Sequence, residues 1–260
     1  MITRRTSAFL IAIAISICAT TVQATIVFQD NFNRAGALGG STPSNTPTGA
    51  KWTATAGFTT DGTKVSGSFG FSDFTTSAYV PLPVPITSGN IYTLSATMLR
   101  GPSTDDTAIM IFGFFDAVPS WNASSTVDNG HAIAIAPRNN RLSINPMLNG
   151  FVSPSDITAP DGTNGVTFGV RLYETAPNAW SAVAVELAPT NRLLLSPLTS
   201  PVPISLANIS SIGMISGSTL PPYIDNFTLD VSPAPEPSTL SLLVCGTLPL
   251  IMRRRRRCSI

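Results

Sequence analysis

Between Thr25 and Pro235 the chain has no cysteine; its three, Cys18, Cys245 and Cys258, all lie in the terminal segments. That absence excludes a disulfide framework, a thiol nucleophile and a cysteine metal cluster from the central region. It leaves export open, because about 210 residues bury enough surface to fold without covalent staples. Charge is scarce as well, at 11% of 260 residues against 43% hydrophobic. The formal net charge of +1 hides an asymmetry. Outside residues 1–24 and the stretch after Pro235, two lysines and six arginines face thirteen acids, a balance near −5. An acidic centre of this kind gives no support to nucleic-acid binding, which selects clustered positive charge. His131 is the only histidine, so histidine metal clusters are excluded and a His-based triad would have one base to draw on. No G-x-S-x-G elbow and no D-x-D-x-D-G calcium loop occurs. GALGG follows a short first strand but runs into Ser/Thr/Pro sequence rather than a helix, which removes the dinucleotide-loop reading.

What is abundant points to short extended elements. The 22 prolines and 19 glycines punctuate the chain at roughly ten-residue spacing. IYTLSATMLRG alternates at Tyr92, Leu94, Ala96 and Met98, and GVTFGVRLYE at Val166, Phe168, Val170 and Leu172. Val183, Val185 and Leu187 extend the same alternation into AVAVEL, whereas AIMIFGFFDA is a continuous apolar run suited to a fully buried strand. No capped amphipathic helix of useful length and no repeat period stands out between Thr25 and Pro235. The pattern predicts an all-β protein with a single antiparallel β-sandwich over residues 25–232.

The two ends read as addresses. Arg4 and Arg5 precede an apolar run ending in Val22-Gln23-Ala24, the three-part layout of a signal peptide over 1–24, cut by signal peptidase. At the other end, Pro235-Glu236-Pro237, an apolar stretch over 238–252 and the arginines Arg253, Arg254, Arg255, Arg256 and Arg257 follow in order. This tail, 233–260, resembles the bacterial PEP-CTERM sorting signal. The resemblance implies recognition of Pro235–Pro237 by an exosortase-like membrane transpeptidase, a short transmembrane helix holding the precursor, and release to the cell surface or an extracellular matrix. The opening FQDNFNR, the early Trp52 and the terminal IDNFTLDV resemble concanavalin/laminin-G-like jelly rolls, which implies that the first and last strands pair centrally.

The resulting expectation is an exported structural or adhesive protein, not an enzyme, with extracellular polysaccharide as partner. The alternatives are a carbohydrate-binding module and, more weakly, a glycoside hydrolase. Trp121, Trp180 and Tyr173 are the candidate glycan contacts, since exposed aromatic faces stack on sugars; each is equally suited to the core. Glu174 and Glu186 are the acids a hydrolase would pair, although Glu186 falls out of phase with its apolar neighbours and suits an outer face. Asp30 and Asp225, both in Asp-Asn-Phe contexts, are candidate calcium ligands if the terminal strands meet; calcium takes such oxygens. Their alternative role is to stabilise turns.

Overall fold

A computed structural model of the chain describes residues 24–234 except 68–75, 100–109, 117, 120, 123–125, 128–129, 139–140, 149–150, 153–156, 160–164, 189–191, 194–201, 207–208 and 217–221. Thr25–Ala234 form one compact unit. Its strands are, in chain order, β1 (Thr25–Asp30), β2 (Ala35–Ala37), β3 (Thr53–Ala54), β4 (Phe58–Asp61), β5 (Val65–Gly67), β6 (Thr76–Pro81), β7 (Asn90–Leu99), β8 (Met110–Phe115), β9 (Trp121–Asn122) and β10 (Thr126–Val127). There follow β11 (Gly130–Arg138), β12 (Arg141–Leu148), β13 (Phe151–Val152), β14 (Ile157–Ala159), β15 (Val166–Ala176), β16 (Ala179–Ala188), β17 (Arg192–Leu193), β18 (Val202–Ile204), β19 (Ser211–Ser216) and β20 (Tyr223–Pro233).

One sheet has the order β17-β16-β15-β7-β20-β5-β4-β2, with β1 also on β20 and β18 on β16; the other has β13-β12-β11-β8-β19-β6-β3, with β14 on β12. The ladders are antiparallel. The alternating residues of β7 and β15 face a shared core, where Tyr92, Leu94, Met98, Phe168 and Leu172 are buried. They meet Phe112, Phe114, Ile212 and Met214 of the second sheet. This is the antiparallel, jelly-roll-like sandwich expected from the alternation, and β1 does run along β20 inside the first sheet, from Thr25↔Val231 to Asp30↔Phe227.

Two expectations need correction. On β16 the core-facing residues are Trp180, Ala182 and Ala184, not Val183, Val185 and Leu187. Registration on β15 sets this phase, because Leu172 lies opposite Ala182 and Val170 opposite Ala184, and paired residues share a face. Val183 and Val185 are buried too, on the other face, so the apolar pattern had no contrast from which to choose a phase. The second correction concerns the ends. Among the described residues no helix is long and apolar enough to cross a membrane, since their apolar residues recur every second position, along strands. The signal peptide (1–24) up to its last residue, the PEP-CTERM motif, the transmembrane stretch 238–252 and the arginines 253–257 lie outside the described residues. The all-β sandwich stands without the transmembrane sorting helix, and the membrane-anchored precursor is not carried forward.

Gly113 shows how tightly the second sheet is packed. It stands opposite Ala132 on one side and Gly213 on the other. A Cβ built on it would lie 2.6 Å from Ala132 Cα and closer still to the His131 carbonyl oxygen. Backbone cannot yield as a side-chain tip does, so Gly113→Ala is expected to cost about 1–3 kcal/mol or more through overpacking. Urea unfolding of the variant measures this; a midpoint equal to the wild type would refute it.

Candidate functional site

The site is built outward from the end of β1. Asp30 is fully buried, yet its carboxylate accepts from five donors. Oδ1 takes Phe32 N at 3.0 Å, Arg34 Nη1 at 2.8 Å and Ser44 Oγ at 3.3 Å; Oδ2 takes Arg34 Nη2 and Trp52 Nε1, each at 2.6 Å. The local bond to Phe32 N forms an aspartate-led turn and holds Phe32 at a positive φ of 51°, an uncommon geometry outside glycine. Trp52 is thereby fixed with its ring between Phe28 (6.0 Å, edge-on) and Phe227 (5.7 Å, tilted). Such ring pairs add about 0.5–1.5 kcal/mol each beyond area burial.

With Trp52 fixed, the segments around it draw the two sheets together at one side. Gly40 N donates to Trp52 O at 2.7 Å and Trp52 N to Ser41 O at 3.0 Å, while Leu38 N donates to Phe58 O at 3.0 Å. Trp52 leads into β3 at the edge of the second sheet and Phe58 begins β4 near the edge of the first. Between them opens a cleft of about 740 Å³ lined by residues that include Gly39, Gly40, Lys51, Thr53, Thr55 and Thr59, together with the nearly fully buried Trp52 and Phe58. The lining includes an ammonium, threonine hydroxyls and glycine backbone, a set able to hydrogen-bond a polar ligand but holding no carboxylate or imidazole. Alternation in KWTATAGFTT makes the outward row legible in the sequence; the glycines that face it come from an earlier loop, which no local pattern joins to it.

The residues singled out from the sequence are not gathered at this cleft. Trp180 is 8% exposed and packs on Tyr92, 6.3 Å between ring centres, so it belongs to the core. Tyr173 pairs with Ser181, and its neighbour Glu174 with Trp180, which puts Tyr173 on the opposite sheet face from Trp180. Trp121 lies in the separate β9–β10 ladder, opposite Val127. Trp180 and Tyr173 therefore form no common platform.

The two glutamates share a sheet face but not an end. Glu186 lies opposite Phe168 and Glu174 opposite Trp180, six residues apart along the ladder and so roughly 20 Å apart at ~3.3 Å per residue. Glycoside hydrolysis needs carboxyls about 5–9.5 Å apart. Glu174 accepts from Ser88 Oγ and, at 2.7 Å, from Asn178 N at the β15–β16 turn; these bonds hold its carboxyl below the usual range. Glu186, expected on an outer face, is fully buried on the core-facing side. Glu174 and Glu186 therefore do not form the acid pair that a glycoside hydrolase uses.

Asp30 and Asp225 do come near each other, because β1 pairs with β20. Burial raises the Asp225 carboxyl, against the Asn226 backbone bond, and the charges of Asp30 and Asp61 raise it further. Asp30 itself does not suit a calcium ion: its oxygens are occupied by protein donors and Arg34 stands against them. Among the described residues no group of three or more His, Cys, Asp or Glu is placed to hold a metal.

No protein-family model matches the chain, and no curated protein is significantly similar to it. Several solved structures share its outline. The VIP36 exoplasmic/lumenal domain in a Ca2+/Man-bound form is 12% identical, covering 84% of this chain and 94% of that one, at a TM-score of 0.47. A legume lectin-like domain from Entamoeba histolytica is 8% identical, over 71% and 90%, at 0.45. A CBM2 module of a Lactobacillus casei phage protein is 8% identical, over 82% and 98%, at 0.43. At these identities and TM-scores the likeness concerns the outline of the β-sandwich. The sorted structural or adhesive protein expected from the tail is not carried forward.

Proposed function

We propose that the chain is a carbohydrate-binding protein whose ligand lies in the cleft between Gly39–Gly40 and the Lys51–Thr59 segment. The observation that supports this is the lining itself: threonine hydroxyls, an ammonium and apolar side chains beside the buried Asp30–Trp52 bond, without an acid pair for catalysis. The similar folds are not the basis of the reading; the cleft is. Ligand sites of this size combine an apolar surface with a few placed polar groups.

Glycan-array screening of the full-length chain, followed by calorimetry on the best ligand, tests it. Thr53→Val with Thr59→Val removes two hydroxyls without changing shape, and the expected loss is about tenfold or more, near 1 kcal/mol per hydrogen bond. Absence of binding to any glycan, or a double variant with unchanged affinity, would sink the proposal. Calcium belongs to this reading only through Asp225. The same titration with calcium and with EDTA decides it, equal affinities removing the ion.

A further inference from the structure

The cleft also indicates which carbohydrates, an inference that rests on the carbohydrate reading above. From Lys51 to Thr55 the chain is extended, with Trp52 buried, Ala54 half-buried and Lys51, Thr53 and Thr55 exposed. The exposed row runs roughly 13 Å along the backbone from Lys51 to Thr55 at ~3.3 Å per residue. None of the residues lining the cleft is Asp or Glu, although thirteen acids lie between Thr25 and Pro235. Arg34 is engaged with Asp30, Lys64 with Asp61 and over the Tyr223 ring, and Arg171 is turned towards Thr93. Lys51 makes no ion pair among the described residues.

An unpaired ammonium at one end of an acid-free groove, on a domain otherwise rich in acid, is a local attractor for a single anionic group. The general negative charge disfavours diffuse binding of a polyanion, and Lys51 is the cation that the cleft lining offers. We propose that the cleft takes an acidic polysaccharide bearing carboxylates on its sugar rings, with one carboxylate on Lys51 Nζ and neighbouring sugar hydroxyls on Thr53 and Thr59; the Thr55 hydroxyl is held by the Ser77 backbone. A charge-assisted hydrogen bond is shorter and stronger than a neutral one, and this difference would set the preference for acidic over neutral chains.

The test is calorimetric titration of the full-length chain with oligogalacturonate and with a neutral glucan of equal length, at low and at 0.5 M salt (about 30 and 4 Å of screening length). The acidic probe is expected to bind about five- to tenfold tighter, the increment of one hydrogen bond to a charged group. Lys51→Gln is expected to abolish that preference, Lys51→Arg to keep it, and high salt to reduce it, with thermal unfolding unchanged in both variants. Equal affinity for the two probes, or a preference that survives Lys51→Gln, overturns this inference and leaves the carbohydrate reading standing. No binding to either probe or to any glycan on the array overturns both.

Discussion

Asp30→Ala is expected to lower the stability of the sandwich by about 3–5 kcal/mol, the cost of breaking a buried ion pair from one side. The side chain is fully buried, and its removal strands the Trp52 indole N–H and the Arg34 guanidinium together. Arg34 keeps 25% side-chain exposure and can recover part of its hydration. Trp52, 1% exposed, cannot. A comparison with Trp52→Phe separates the contributions. That variant leaves Asp30 with Arg34, Ser44 and Phe32 N and loses one donor, so about 1–3 kcal/mol is expected for the buried bond and its packing. Chemical denaturation gives both values, and an Asp30→Ala variant within about 0.5 kcal/mol of wild type would show that the network does not hold this corner. Because the network fixes Trp52, glycan affinity in the cleft is expected to fall with it.

Acid is expected to destabilise the protein through His131. The ring is 6% exposed on β11, opposite Phe114. Burial lowers its pKa from 6.5 to about 4, with the negative charge of Asp116 opposing the shift. The folded-state value is the depressed one, so the unfolded chain binds the proton first as pH falls. The contribution is therefore fully present above pH 6.5, is lost progressively between 6.5 and about 4, and changes no further below that. At ~1.36 kcal/mol per pH unit the whole loss amounts to roughly 3 kcal/mol. Stability measured from pH 7.5 to 4 in wild type and in His131→Gln isolates it, because the carboxylates contribute equally to both curves. Parallel curves would show that His131 does not titrate on unfolding in this window.

How much of this was legible beforehand follows the reach of each signal. Alternation at Tyr92–Met98 and Val166–Leu172 marks the core faces of β7 and β15 because those strands are buried on one side and half-exposed on the other. The same rule chose the wrong face of β16, where both sides are covered, and misplaced Glu186 with it. Trp180 offers identical sequence cues as a sugar platform and as a core residue; only its contact with Tyr92 separates them. Asp30 was visible as a residue of interest, but the partners that turn it from a metal ligand into a structural acceptor, Arg34, Ser44 and Trp52, include one 22 residues away.

The sequence by itself determined the class: scarce charge, one histidine, no central cysteine and a period-two apolar pattern leave room for little except an antiparallel β-protein. These are local properties, set by the geometry of a strand and the chemistry of each side chain. Tertiary structure decided register, the phase of β16 and the cleft. Each depends on which distant segments meet: Gly39–Gly40 lines one cleft with Lys51–Thr59 where a buried carboxylate ties Trp52 to the end of β1.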